Sequence, residues 1–146
     1  MADIEPVEIL LVEDSAHDAE LAIRALKKGG LANSMLWVKD GQEALEYLFR
    51  RDAYADRVEG SPRLVFLDLK MPKVDGLEVL RAVKADERTR HIPIVVMTSS
   101  NEDRDLTQTY ELGVNSYVVK PLDFKSVAEV VCQAGYYWLA INRTPR

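Results

Sequence analysis

The run Leu64-Val65-Phe66-Leu67-Asp68 sets four consecutive apolar residues against a single carboxylate. A continuous apolar run of this length marks a strand buried on both faces, the kind found in parallel sheets covered by helices. A charge closing such a strand is costly without a partner, so Asp68 is a residue with something to hold. The same grammar repeats on either side of it. Residues 7–12, 34–38, 94–97 and 116–119 are β-rich runs. Between them, residues 15–28, 41–50, 76–85, about 101–112 and 123–141 carry apolar residues at helical spacing. Gly29-Gly30 stops the first helix and Asp123 caps the last. The stretch 52–62 is polar and turn-forming, and reads as an extended loop. Five strands alternating with five helices predict one doubly wound α/β domain with a parallel five-stranded sheet.

The composition agrees and excludes several classes. The chain has 146 residues, 47% of them hydrophobic and 29% charged, as in an ordinary soluble domain. The sequence reads as a single domain, 1–146 with a core of about 7–142, and no output domain. A net charge of −5 argues against a nucleic-acid surface, because the lysines and arginines are scattered in short pairs. The longest apolar runs are strand-sized, so no membrane span is expected. The N-terminus lacks the pattern of a secretory signal, and the lone Cys132 cannot form an internal disulfide, which together point to the cytoplasm.

The chemistry gathers at the strand ends. Glu13 and Asp14 follow strand one, Asp68 strand three, Thr98 strand four and Lys120 strand five. In an open parallel sheet the carboxyl ends of the strands share one edge, where ligands bind. Three carboxylates, a hydroxyl and an ammonium therefore converge. Clustered carboxylates repel one another unless a hard cation neutralises them, and all-oxygen ligation suits Mg²⁺. Asp68 could then attack phosphorus and form an acyl phosphate, with Lys120 and Thr98 on the transferring oxygens.

With LLVEDS at 10–15, VFLDLKMPKVDG at 65–76, VVMTSS at 95–100 and NSYVVKPLD at 115–123, the chain resembles the response-regulator receiver domains of two-component signalling. That resemblance implies the flavodoxin-like (βα)5 sheet order 2-1-3-4-5, for which a receiver is a standing example. It makes Asp68 the phosphoacceptor and Asp14 and Glu13 metal-binding acids, with the backbone carbonyl of Lys70 completing the Mg²⁺ site. Thr98 and Lys120 become the phosphate-sensing pair, Tyr117 the switch aromatic, and Lys120–Pro121 a cis bond. It implies a sensor histidine kinase as partner and a protein that is not an enzyme beyond its own phosphorylation and dephosphorylation. Phosphorylation would remodel the face formed by helix four, strand five and helix five. A finer resemblance, in DGQEALEYLF at 40–49, the 52–62 loop and YYWLAIN at 136–142, is to the small regulators paired with bacterial phytochrome kinases.

Singly, these residues have plainer readings: Asp14 or Thr98 could cap helices, and Lys120 could be a surface lysine. Together, at family spacing, they favour the receiver site. Other functions keep some ground. A Mg²⁺-dependent phosphohydrolase would need a D-x-D pair that is absent around Asp68. A phosphorylation-independent binding module would have lost Asp68, Thr98 or Lys120, and all three are present. A phosphorelay intermediate stays open within the signalling class. His17, His91 and Cys132 read as ordinary surface or packing residues.

The last helix carries two apolar lines. Val127, Val130, Val131, Ala134, Trp138 and Ile141 are expected to face the sheet. Phe124, Ala128, Cys132, Tyr136 and Leu139 form a second line, extended by Leu106 and Tyr110. A surface helix needs one apolar stripe, so Leu106, Tyr110, Phe124, Cys132, Tyr136 and Leu139 are the expected surface of a homodimer.

Overall fold

The computed structural model describes residues 7–31, 34–57, 60–71, 73–99, 102–120 and 123–143, with Phe124 by its backbone alone. In chain order the elements are β1 (Ile9–Val12), α1 (Ala16–Lys28), β2 (Met35–Val38), α2 (Gly41–Leu48), β3 (Leu64–Leu67) and α3 (Gly76–Ala85). β4 (Ile94–Thr98), α4 (Asp103–Glu111), β5 (Ser116–Val119) and α5 (Phe124–Tyr136) complete them, with a single π-helical turn over Tyr137–Ile141. The sheet runs β2-β1-β3-β4-β5 with every pair parallel, as expected.

The strand side chains alternate between two cores. Leu10, Val12, Val65, Leu67, Ile94 and Val96 face α2 and α3. Ile9, Leu11, Leu64, Phe66, Val95 and Met97 face α1 and α5. Each fully buried side chain of this size contributes about 1.5–3 kcal/mol, which is why central strands this short hold their register. Helix starts are fixed locally. Ser15, Asp40 and Asp75 accept hydrogen bonds from the backbone N–H groups of Asp18, Glu43 and Glu78. Asp123 occupies the N-cap position of α5, but its side chain makes no capping bond to the backbone and instead accepts from Ser126 Oγ at 3.0 Å. Lys84 Nζ donates to the carbonyls of Arg90 and Ile92 and to Asn115 Oδ1, tying α3 to the starts of β4 and β5; burial pushes its ammonium down to about 8.

The loop after β3 is shaped by close backbone packing. Gly76 N donates to Leu69 O, and a Cβ at Gly76 would fall against the carbonyl of Asp68 and 2.6 Å from Leu69 Cα. Only glycine lets α3 begin so near the strand end.

The 52–62 stretch, expected to be a turn-forming loop, contains a 3₁₀ turn at Asp52–Tyr54. Beyond that turn, Arg57 donates to the carbonyls of Tyr47 and Leu48 and stacks over the Tyr47 ring. The regular part of the last helix ends at Tyr136, and the π turn shifts the phase that a 3.6-residue period assumes. Ile141, expected to face the sheet, is 59% exposed. Leu139, expected on the outward line, is buried in the α1/α5 core, and its carbonyl accepts from Arg63 Nη2 at 2.6 Å. Cys132 likewise turns toward α1, its thiol donating to Ala25 O, and is half-buried. The Phe124 side chain lies outside the described residues, so the exposed part of the predicted patch consists of Leu106, Tyr110 and Tyr136. No helix among the described residues is long and apolar enough to cross a membrane.

Candidate functional site

The carboxyl ends of β1, β3, β4 and β5 bring the predicted residues together. Glu13 and Asp68 are buried at 5% and 8% exposure, Thr98 is fully buried, and Asp14 is exposed at the rim. Glu13, Asp14 and Asp68 each offer a carboxylate oxygen, all within 4.8 Å of one another. Lys120 enters from the end of β5, where its backbone N–H donates to Thr98 O at 2.7 Å. Its ammonium lies 2.6 Å from Glu13 Oε1, 3.0 Å from Asp18 Oδ2 and 3.4 Å from Asp68 Oδ2.

Backbone contacts fix the acids. Asp68 Oδ1 accepts from the Lys70 N–H at 3.3 Å, and Glu13 Oε2 from the Ser15 N–H at 3.2 Å. On the outer side, Trp37 Nε1 donates to the Glu13 carbonyl at 2.7 Å, so the edge strand β2 pins the turn that carries the acidic pair. Burial and the Asp68 charge raise the Glu13 carboxyl to about 7, against the lowering effect of its bond to Lys120. Burial by itself would lower the Lys120 ammonium, but its bond to Glu13 and the charge of Asp68 outweigh that and carry it above the ordinary lysine value.

The donor set fits a divalent cation. Three carboxylate oxygens converge, and burial and the Asp68 charge push the Glu13 carboxyl upward, a conflict that a hard cation relieves. Glu13, Asp14 and Asp68 would hold such an ion beside the Asp68 carboxylate.

Tyr117 on β5 is half-buried against the α2/α3 core, opposite Val96 in the β4–β5 ladder and so two residues before the position that pairs with Thr98. The Lys70 side chain is turned out toward α4, 3.7 Å from the buried Asp105. Pro121, and with it the Lys120–Pro121 bond, lies outside the described residues, as does Ser100.

Asp18 was not singled out in the sequence. The available signal was position: it is the third residue of a helix capped by Ser15, directly after the acidic pair, where a side chain points back over the site. Trp37 gave no signal beyond being an aromatic on a strand. Asp105 reads as an ordinary first-turn acid, favoured by the helix dipole.

Comparison with known proteins agrees with this geometry. Residues 9–131 match the family described as the response regulator receiver domain. The chain is 44% identical to the probable methanogenesis regulatory protein FilR2 of Methanothrix harundinacea (strain 6Ac), over 97% of this chain and 89% of that one. It is 38% identical to response regulator Rcp1 of Synechocystis sp. (strain ATCC 27184 / PCC 6803 / Kazusa), over 96% and 94%. The crystal structure of the Mn(2+)-bound form of Rcp1 superposes with a TM-score of 0.89 at 35% identity, covering 97% of this chain and all of that one. That of the phosphorylated cyanobacterial phytochrome response regulator RcpA gives 0.90 at 34%, with the same coverage.

Replacing Lys120 with methionine keeps the stem and removes the charge. Metal-free Lys120→Met at pH 8 is expected to lose about 3 kcal/mol in urea unfolding, as when one member of a buried ion pair is removed. Because the folded-state value of Glu13 lies above its ordinary 4.5, its protonation favours the fold. The stabilisation is fully present below that ordinary value and fades as pH rises through about 7. Lys120 lowers the Glu13 value, so in the variant that carboxyl rises further and acidification restores more stability there than in the wild type. The deficit should therefore shrink on acidification and on adding millimolar MgCl2. A variant as stable as the wild type at pH 8 would contradict this charge assignment.

Proposed function

The chain belongs to the response-regulator receiver family, and from that premise we propose that it takes a phosphoryl group onto Asp68 from a sensor histidine kinase of the phytochrome type. The observation that carries the reading is the meeting of Asp68 with Glu13, Asp14 and Lys120 at one sheet edge. In the transfer, an Asp68 oxygen bonds to phosphorus while the phosphorus–nitrogen bond of the kinase phosphohistidine breaks. Its electron pair stays on the imidazole nitrogen. A bound Mg²⁺ supplies charge neutralisation for the phosphoryl oxygens. Lys120 adds a second positive charge from a 15% exposed position, where it is screened less than on the surface.

Thr98 and Tyr117 carry the output. A phosphoryl oxygen within reach of the Thr98 hydroxyl draws that side chain toward Asp68 and frees space for Tyr117 to move inward. This shifts a two-state equilibrium at the α4–β5–α5 face. The likeness to Rcp1 and to RcpA supports a phytochrome kinase as donor. The likeness to FilR2 supports a second reading, in which a kinase with another stimulus uses the same site.

A second copy of the chain is the proposed partner at the output face, where Leu106, Tyr110, Val119 and Tyr136 are exposed. Sedimentation at tens of micromolar should show a dimer in the presence or absence of beryllofluoride. A monomer in both states would rule it out.

For the phosphotransfer itself, a bacterial phytochrome kinase labelled from radioactive ATP is mixed with the protein. Label is expected to move to the wild type within minutes and to stay on the kinase with Asp68→Asn. Transfer from a light-insensitive kinase but not from any phytochrome kinase would favour the FilR2-like reading. Transfer to Asp68→Asn would refute the choice of phosphoacceptor.

A further inference from the structure

Lys120 is not centred on Asp68. Its ammonium is nearer to Glu13 at 2.6 Å and to Asp18 at 3.0 Å than to Asp68 at 3.4 Å. Both nearer acids belong to the β1–α1 side of the site. Asp18 is fixed there because its backbone N–H is bound to Ser15 Oγ at 3.2 Å, which orients the first turn of α1 over the strand ends. Asp18 stands apart from the grouping of Glu13, Asp14 and Asp68 that can hold a cation. Once a divalent ion engages Glu13, Asp18 is the acid left to hold the ammonium.

We propose that Asp18 is a positioning residue that competes with an anion on Asp68 for the Lys120 ammonium, and so sets how tightly the site holds a phosphoryl group. The inference rests on the reading of Asp68 as phosphoacceptor. In the resting site Asp18 draws the ammonium toward α1. To meet the phosphoryl oxygens, Lys120 must loosen that contact, and whatever the contact is worth is subtracted from the affinity for the anion. Asp18 also adds a negative charge facing a dianion. Its side chain is 39% exposed, so the contact is screened and of surface-pair strength.

The consequence separates two affinities. In Asp18→Asn the ammonium is released toward Asp68 and Glu13. An incoming anion then binds more tightly, while a cation, which shares those acids with Lys120, binds no better than before. Damage to the fold of the site would weaken both.

The test uses the full chain, with Mg²⁺ alone and then beryllofluoride at saturating Mg²⁺, each followed by calorimetry. Relative to the wild type, Asp18→Asn should bind beryllofluoride about fivefold more tightly, the equivalent of ~1 kcal/mol, with Mg²⁺ affinity equal or lower. Asp18→Glu, which keeps the charge within reach, should stay near the wild type. Unchanged or weaker beryllofluoride binding by Asp18→Asn, or tighter binding of both ligands, would overturn the proposal. Failure of the wild type itself to bind beryllofluoride would instead overturn the phosphoacceptor reading, and this inference with it.

Discussion

One ammonium holds this site together. Lys120 reaches from the end of β5 to carboxylates carried by β1, α1 and β3, so a single side chain bridges acids from three different elements. Without it, Glu13 and Asp68 would be buried charges facing each other, an arrangement that costs several kcal/mol in a desolvated setting. With it, the site is balanced enough to fold and acidic enough to want a divalent cation. The raised Glu13 carboxyl expresses that tension. The same property suits the site to phosphoryl chemistry, because a positive charge already stands within 3.4 Å of the Asp68 carboxylate.

The rest of the molecule keeps those charges in register. β1 and β3 pair along their whole described length, which sets Glu13 and Asp68 side by side one residue beyond the ladder. Gly76 lets the chain fold back against the Asp68 carbonyl, and a Cβ at Gly41 would fall against the backbone of Val74 in the same loop. Trp37 holds the Glu13 carbonyl from the outside. Each contact is local, but all of them converge on the position of two carboxylates.

Much of this was legible in the sequence, for a physical reason. Apolar runs ending in polar residues read as buried strands, and parallel strands bring their ends to one edge, so Glu13, Asp14, Asp68, Thr98 and Lys120 could be placed together before any contact was known. Asp18 was not legible, because its role depends on where a lysine 102 positions away comes to rest. Leu139 and Ile141 were misplaced because a π turn breaks the helical period on which the pattern was read. The role of Arg57 in holding the last carbonyls of α2 was hidden in a stretch whose composition says only that it turns. Short-range rules locate strands and helix starts. They do not report which side chain crosses a gap.

The central claim is that Asp68 is the group modified and that a divalent cation is required. The most direct measurement is the intact mass of the protein after incubation with acetyl phosphate and Mg²⁺, beside Asp68→Asn and a sample containing EDTA. The account predicts a gain of one phosphoryl group, about 80 Da, in the wild type alone. A gain that persists in Asp68→Asn, or one indifferent to EDTA, would contradict it.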